Sequence, residues 1–144
     1  MSKAETAVKY FDTYNCAQAT LLAYADDHSL ENDTALQVAV GFGGGIGRTQ
    51  DVCGAVSAAV MVLGLSSGFT EADGRPKINE VYEEAGNFVK DFAKEYGTIK
   101  CRELIKCDLS SEEGQLYFKE NNIKEHCRGY VRFCCNALDK HLGK

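Results

Sequence analysis

The chain has 144 residues and a formal net charge of −5, and 44% of its residues are hydrophobic. This length supports one substantial core, so we expect residues 1–144 to form a single cysteine-rich domain. The acidic balance leaves no basic surplus to neutralise phosphates, which argues against nucleic acid as a partner. No segment approaches the ~20 apolar residues of a membrane span, and no charged leader with an apolar run opens the sequence. These features predict a cytoplasmic protein without membrane insertion.

Seven cysteines are the most informative feature of the composition. In a reducing compartment they favour metal binding or redox catalysis over structural disulfides, and an odd number cannot all pair. No Cys-x-x-Cys pair occurs in the sequence, so neither a thioredoxin-like motif nor a zinc-finger pattern is present. Any shared site must therefore be assembled by the tertiary fold.

The first part of the chain shows helical periodicity that ends at a glycine-rich segment. Apolar spacing predicts a helix over residues 4–13, and Asn15 is expected to cap a second helix. Asp33 is expected to cap a third, although residues 37–42 also fit a short strand. The helical pattern breaks at residues 41–47, which contain five glycines. We call this segment the glycine loop.

Two long helices are predicted after the glycine loop. The first is almost wholly apolar and extends from Val52 to about Ser66, with Asp51 as its cap. A helix that is apolar all round is usually the buried centre of its fold. The second covers residues 77–96 and ends at Gly97. Its inward face is predicted to contain Val81, Tyr82, Ala85, Phe88, Val89 and Phe92.

Shorter patterns complete the chain. Thr98 is expected to cap a short helix, residues 110–113 open another, and the last helix extends from about Lys124 to His141. Together these patterns predict an all-α fold. We expect a single compact domain of six or seven helices with a buried apolar central helix.

Four of the cysteines fall near expected helix starts, namely Cys16 after Asn15, Cys53 after Asp51, Cys101 after Thr98, and Cys127 in the last helix. A helix N-terminus carries partial positive charge, which favours the thiolate, the form that attacks disulfides and binds metals. These four cysteines are therefore candidate redox residues. They are equally a candidate set of four ligands for zinc or an iron–sulfur cluster. The alternative without chemistry is that each fills space in the core.

The other three cysteines receive separate predictions. Cys134 lies on the apolar stripe of the last helix, which indicates core filling. Its neighbour Cys135 points about 100° away around the helix, so the two are poorly placed for a vicinal disulfide. Cys107 follows the short helix that contains Cys101 and is a candidate resolving thiol.

The glycine loop matches neither common phosphate-binding fingerprint. It lacks the last glycine of the dinucleotide motif, and no Gly-Lys-Ser/Thr follows it. Its many backbone N–H groups can still cradle an anion, or its small residues can allow close packing. The candidate ligand-binding residues are Gly43, Gly44, Gly45, Gly47 and Arg48.

Residues 14–19, 42–48 and 53–57 contain the strings YNCAQA, FGGGIGR and CGAVS. With Cys101 and Cys127 further on, the chain resembles the C_GCAxxG_C_C family of redox-active proteins nearly from end to end. The resemblance places the family's four characteristic cysteines at Cys16, Cys53, Cys101 and Cys127. One departure is Ala58, which stands where the family's CGAxxG motif closes with glycine.

The residues and the resemblance together leave three functions open. The first is a thiol-based redox protein of the thiol–disulfide oxidoreductase type, which works with an unidentified redox partner. The second is a metal-binding module in which the four cysteines hold zinc or an iron–sulfur cluster for electron transfer or sensing. The third, which the resemblance alone implies, is a non-catalytic accessory protein of a transporter system. Aromatic residues on the long helix also suggest a homodimer.

Overall fold

The computed structural model describes residues 1–144 and is all-helical. Its helical segments are, in chain order, α1 (Lys3–Tyr10), α2 (Cys16–Ala25), α3 (Asn32–Ala39), α4 (Gly43–Ile46), α5 (Gly54–Ser67), α6 (Arg75–Tyr96), α7 (Cys101–Ile105), α8 (Glu112–Glu120) and α9 (Ile123–His141). Because α4 is a single turn with left-handed residues inside it, eight true helices remain. The all-α prediction is confirmed, but the expected number of six or seven helices is too low.

The segment at residues 37–42 is not a strand. Helix α3 continues directly into a 3-10 turn, Val40–Phe42, which leads into the glycine loop. The alternative strand interpretation is therefore wrong. Short apolar runs fit both the helical and the strand periodicity. The packing of α3 against α2 stabilises the helical form.

Helix α2 is the most enclosed element of the fold. Eight of its ten residues are buried, and it packs against α1, α3, α5 and α9. The predicted central helix, α5, is buried on one side, while Val60, Met61 and Leu65 on its other side are partly exposed. Apolar composition does not distinguish a helix that is buried on all sides from one with a partly exposed side, which explains the difference.

One core joins the two ends of the chain. A cluster of 24 buried residues draws on α1, α2, α3, α5, α6 and α9, and α1 packs along α9. The structure is therefore a single compact domain. None of its helices combines the length and the apolar character needed to cross a bilayer.

Helix α6 is only partly absorbed into the core. Its second half buries Phe88 and Phe92, whereas its first half contains no buried residue. Tyr82 was expected on the inward face but is 66% exposed, so that assignment is wrong. Helix α6 has only α5 and α9 as extensive partners, and this short contact region explains why its apolar face is incompletely covered.

Candidate thiol pocket

Four cysteines from distant parts of the sequence line one pocket of about 700 Å³. Cys16 begins α2, Cys53 precedes α5, Cys101 begins α7, and Cys127 lies in α9. Small-molecule sites in proteins usually enclose roughly 300–1,000 Å³. The structure thus brings together the four residues that the sequence singled out, and we call this cavity the thiol pocket.

Cys16 is positioned by a reciprocal cap at the start of α2. The Asn15 side chain accepts a hydrogen bond from the backbone N–H of Gln18 (2.9 Å), and the Gln18 side chain accepts one from the backbone N–H of Asn15 (3.1 Å). Asn15 Nδ2 also donates to the carbonyl of Val40 (3.0 Å), which ties the cap to the segment before the glycine loop. The predicted cap is confirmed, and Cys16 is the first residue of the helix.

Cys53 and Cys101 are positioned by pairing between two extended segments. The backbone N–H of Cys53 donates to the carbonyl of Ile99 (2.8 Å), and that of Cys101 donates to the carbonyl of Asp51 (2.7 Å). These bonds flank an isolated antiparallel bridge between residues 52 and 100. The two cysteines therefore enter the pocket from facing segments.

Because of this pairing, the N-cap residues of α5 and α7 differ from the predicted ones. Cys53 itself occupies the N-cap position of α5, and Lys100 occupies that of α7. Asp51 and Thr98 were expected in these positions, and both expectations are wrong. Residues on either side of the bridge are held extended by each other, so neither helix begins as early as local sequence suggests.

Gly54 allows the sulfur of Cys16 to approach the start of α5. A Cβ atom at this position would lie 2.7 Å from Cys16 Sγ and 2.7 Å from the carbonyl oxygen of Phe42, both too close. Cys16 Sγ therefore lies against the N-terminus of α5 in addition to the first turn of its own helix. The glycine of the Cys-Gly-Ala motif has a direct structural role here: it leaves space for another cysteine.

Burial raises the pKa of all four pocket thiols. For Cys16, the backbone N–H groups of Gly44, Ala17 and Ala55 oppose this effect without cancelling it. Burial, with the nearby Cys16 thiol as the next cause, raises the pKa of Cys101 to about 11 and of Cys127 to about 12. The same two causes raise the pKa of Cys53 still further.

The expectation of readily formed thiolates is therefore wrong for the resting protein. A helix N-terminus stabilises a nearby negative charge by about 0.3–1 kcal/mol in ordinary positions. Removing an ionised group from water costs more than this unless a partner compensates it. At neutral pH the four thiols are consequently protonated.

Cys127 differs from the other three because it lies in the second turn of α9, which begins at Ile123 after the N-cap position Asn122. Asn122 makes no side-chain capping bond. Lys124, one turn before Cys127, lowers the pKa of this thiol but does not overcome burial. The Lys124 ammonium group lies 5.2 Å from the centre of the Phe11 ring at the pocket wall.

Three of the five glycines in the glycine loop line the thiol pocket. These glycines are Gly43, Gly44 and Gly47, and Arg48, which follows the loop, lines the pocket too; their assignment as ligand-binding residues stays a prediction. Gly45 does not line the pocket and is buried behind it. A Cβ there would approach the backbone nitrogen of residue 51 to 2.6 Å, and its φ of +66° also favours glycine, so Gly45 has a packing role.

Sequence reasoning missed Gln50, whose side chain is hydrogen-bonded to the segment between α7 and α8. Gln50 is only 3% exposed. Its Nε2 donates to the carbonyl of Cys107 (2.7 Å), and its Oε1 accepts from the backbone N–H of Leu109 (2.8 Å). Leu109 in turn lines the thiol pocket. No local pattern marks this glutamine, because both partners are far along the chain.

Tyr130 is a second residue that the sequence did not indicate. Its hydroxyl donates to the carbonyl of Leu104 (3.0 Å) and so connects α9 to α7 at the pocket wall. Burial, and next the Cys127 thiol, raise the pKa of Tyr130 to about 12. The hydroxyl therefore stays protonated at neutral pH.

The remaining cysteines do not line the thiol pocket. Cys134 is fully buried, as its core assignment predicts, and Cys135 is fully buried too. Burial, and next the neighbouring Cys53 thiol, raise the pKa of Cys134, which places it close behind the pocket. All seven cysteines are free thiols. No group of three or more His, Cys, Asp or Glu side chains has an arrangement that could hold a metal ion.

Fold and site together define a class: a helical protein in which sequence-distant thiols share one cavity. The chain belongs to the family described as "Putative redox-active protein (C_GCAxxG_C_C)", whose sequence model matches residues 14–141. The matched region includes all four pocket cysteines, so the resemblance noted from the sequence is confirmed. No curated protein and no solved structure matches the chain.

Proposed function

We propose that the protein is a thiol–disulfide redox protein whose pocket cysteines exchange electrons with a small disulfide. The observation that carries this proposal is the convergence of Cys16, Cys53, Cys101 and Cys127 on one pocket. Cys16 contributes to the raised pKa of each of the other three, so it is their common neighbour. A thiol with several neighbouring thiols has candidate partners for a disulfide.

Cys16 is the best-placed attacking thiol. Backbone N–H groups from α2, from α5 and from the glycine loop act on its sulfur and favour the thiolate. Cys53 is the best-placed resolving thiol, because Cys16 is the largest cause of its raised pKa after burial and Cys16 Sγ lies against the adjacent Gly54. Cys101 and Cys127 would then supply a second pair.

The reaction balances as a two-electron exchange. Cys16 loses its proton to water, and its sulfur attacks one sulfur of the substrate disulfide, which releases a first thiolate that takes up a proton. Cys53 then loses its proton and attacks the Cys16 sulfur of the mixed disulfide, which releases the second substrate thiol. The substrate gains two electrons and two protons, and the protein retains one new disulfide.

Replacing single cysteines tests this assignment. Fully reduced protein is mixed with hydroxyethyl disulfide, and the loss of free thiols is followed over time with peptide mapping of the products. We expect Cys16→Ser to lower the oxidation rate by more than about tenfold, since the attacking sulfur is absent. Cys107→Ser is the matched control: Cys107 is partly exposed but lies outside the pocket lining, so its loss should leave the rate of oxidation at Cys16, followed by peptide mapping, unchanged.

Two results would overturn the proposal. One is an oxidation rate that is the same in Cys16→Ser, Cys107→Ser and the parent protein. The other is stoichiometric zinc or iron in protein purified without oxygen, lost in Cys16→Ser, because the four thiols would then be ligands. Metal-free protein with seven titratable thiols is the expected outcome.

A further inference from the structure

Resting on the proposed function, we infer that the thiol pocket takes a small anionic disulfide, with carboxylate groups at its ends, in preference to a neutral or cationic one. The cavity is bounded mainly by hydrophobic side chains, and its volume is about 700 Å³. This size and lining suit a compact molecule with an apolar middle. The sign of the charges on the pocket wall then indicates the charge of the groups at the two ends of that molecule.

The pocket wall has a charge bias opposite to that of the chain. The whole sequence contains 21 acidic and 16 basic residues, so a random wall would contain more carboxylates than cations. The thiol pocket instead has two charged lining residues, Arg48 and Lys124, and no aspartate or glutamate. Both charges are positive, and they belong to different elements.

Neither cation is neutralised by the protein itself. The ion pairs of the structure use Lys3, Arg102, Arg128, His141 and Lys144. Arg48 and Lys124 are absent from all of them. A positive charge at a cavity wall without a protein carboxylate is available to an anionic ligand.

Both cations also lie against other residues of the pocket wall. The aliphatic part of Arg48 lies over Gly44, since a Cβ at that glycine would come within 2.8 Å of Arg48 Cγ. Lys124 is half-buried and lies over the Phe11 ring at 5.2 Å. Arg48 directly follows the glycine loop and Lys124 lies on α9, and both residues line the same pocket as Cys16 and Cys127. A ligand bridging these cations would lie beside the thiols.

Three small disulfides of similar length test the charge preference. Dithiodipropionate is a dianion, hydroxyethyl disulfide is neutral and cystamine is a dication. Each disulfide is reacted with reduced protein. Its rate with the protein is divided by its rate with free mercaptoethanol, which corrects for the intrinsic reactivity of the disulfide. We expect the parent protein to favour the dianion, and Arg48→Gln/Lys124→Gln to lower the dianion-to-dication ratio by about tenfold.

A charge-matched double variant separates the pocket from the whole surface. Lys90→Gln/Lys94→Gln removes the same two charges from exposed positions on α6 outside the pocket. This control should keep the parent ratio. An equal loss of preference in both double variants would overturn the inference, because the effect would then reflect net charge alone.

Binding of suberate distinguishes failure of this inference from failure of the proposed function. Suberate matches dithiodipropionate in length and charge but contains no sulfur, so it reports anion binding without redox chemistry. We expect it to raise the unfolding temperature of the parent and of Lys90→Gln/Lys94→Gln, but not of Arg48→Gln/Lys124→Gln. Suberate binding without any thiol oxidation would overturn the redox proposal, and only the preference for anionic ligands would remain of the further inference. Thiol oxidation with no suberate effect and no charge preference would overturn the anionic-ligand inference alone.

Discussion

Gly54 and Cys16 show how one missing side chain defines the chemistry of a neighbouring residue. Cys16 Sγ occupies the space that a Cβ at Gly54 would need. This contact brings the sulfur to the N-terminus of α5, where the backbone N–H of Ala55 acts on it. The side chain absent from Gly54 therefore determines the electrostatic surroundings of the proposed nucleophile.

Gly54→Ala should consequently disturb both stability and reactivity. We expect the free energy of unfolding to fall by about 1–3 kcal/mol, as is typical when an added methyl group overpacks a core. We also expect the rate of Cys16 oxidation to change, because its sulfur must move away from α5. Urea unfolding and thiol oxidation kinetics measure these two effects.

Gly64→Ala provides the control within the same helix. Nothing lies within 4 Å of the position that its Cβ would occupy. This substitution should stabilise the protein by about 0.5–1 kcal/mol, because alanine loses less backbone entropy in a helix. If both variants behave alike, close packing at Gly54 is not what positions Cys16.

At the scale of elements, local signals predict some helix starts and fail at others. Asn15 is found by sequence reasoning because its cap partner, Gln18, is three residues away. Asp51 and Thr98 are assigned wrongly because their segments pair with each other across the fold. A pattern confined to one stretch of sequence contains no information about that pairing. The N-cap residues of α5 and α7 could therefore be identified only from the structure.

Gln50 illustrates the same limit, and its replacement is testable. Gln50→Ala removes two hydrogen bonds that hold the α7–α8 connection. It leaves the carbonyl of Cys107 and the N–H of Leu109 without this partner. We expect the free energy of unfolding to fall by about 1–3 kcal/mol. The backbone amide of Leu109 should also exchange its hydrogen faster.

Gln37→Ala is the matched control, since Gln37 is an exposed residue on α3. Its free energy of unfolding should change by less than about 0.5 kcal/mol. Equal effects at Gln37 and Gln50 would contradict the bracing role.

At the scale of the whole molecule, the sequence predicts the all-α class and the residues of the site but not their protonation. Cys16, Cys53, Cys101 and Cys127 are identified from motifs and from expected helix starts. Their burial depends on every helix that surrounds them, and burial reverses the predicted direction of the pKa shift. Chemistry that depends on desolvation could not be derived from spacing.

The buried thiols make stability dependent on alkaline pH. The pKa values of Cys127 and Cys135 rise from 9.0 to about 12 through burial. Between these pH values the unfolded chain loses protons that the folded chain retains. The stabilising contribution is therefore complete below about pH 9 and declines as the pH rises toward about 12, by up to about 1.4 kcal/mol per thiol per pH unit.

Urea unfolding measured from about pH 8 to about pH 10.5 tests this dependence. We expect the free energy of unfolding to fall with rising pH, and Cys135→Ala to reduce the slope above about pH 9. Cys107→Ser should reduce the slope by less than Cys135→Ala does, because burial raises the pKa of Cys107 too but this thiol is only partly buried. A stability that is constant over this interval would contradict the assigned burial effect.

The packing of α1 along α9 has a consequence for synthesis on the ribosome. Helix α1 ends at Tyr10 and α9 begins at Ile123, so the first helix leaves the ribosome long before its partner exists. Cys127 emerges with α9, after the other three pocket cysteines. The nascent chain therefore exposes Cys16 and Cys53 to the surrounding solution while the wall that encloses them is still missing. Thiol chemistry confined to the pocket can begin only after translation has passed α9.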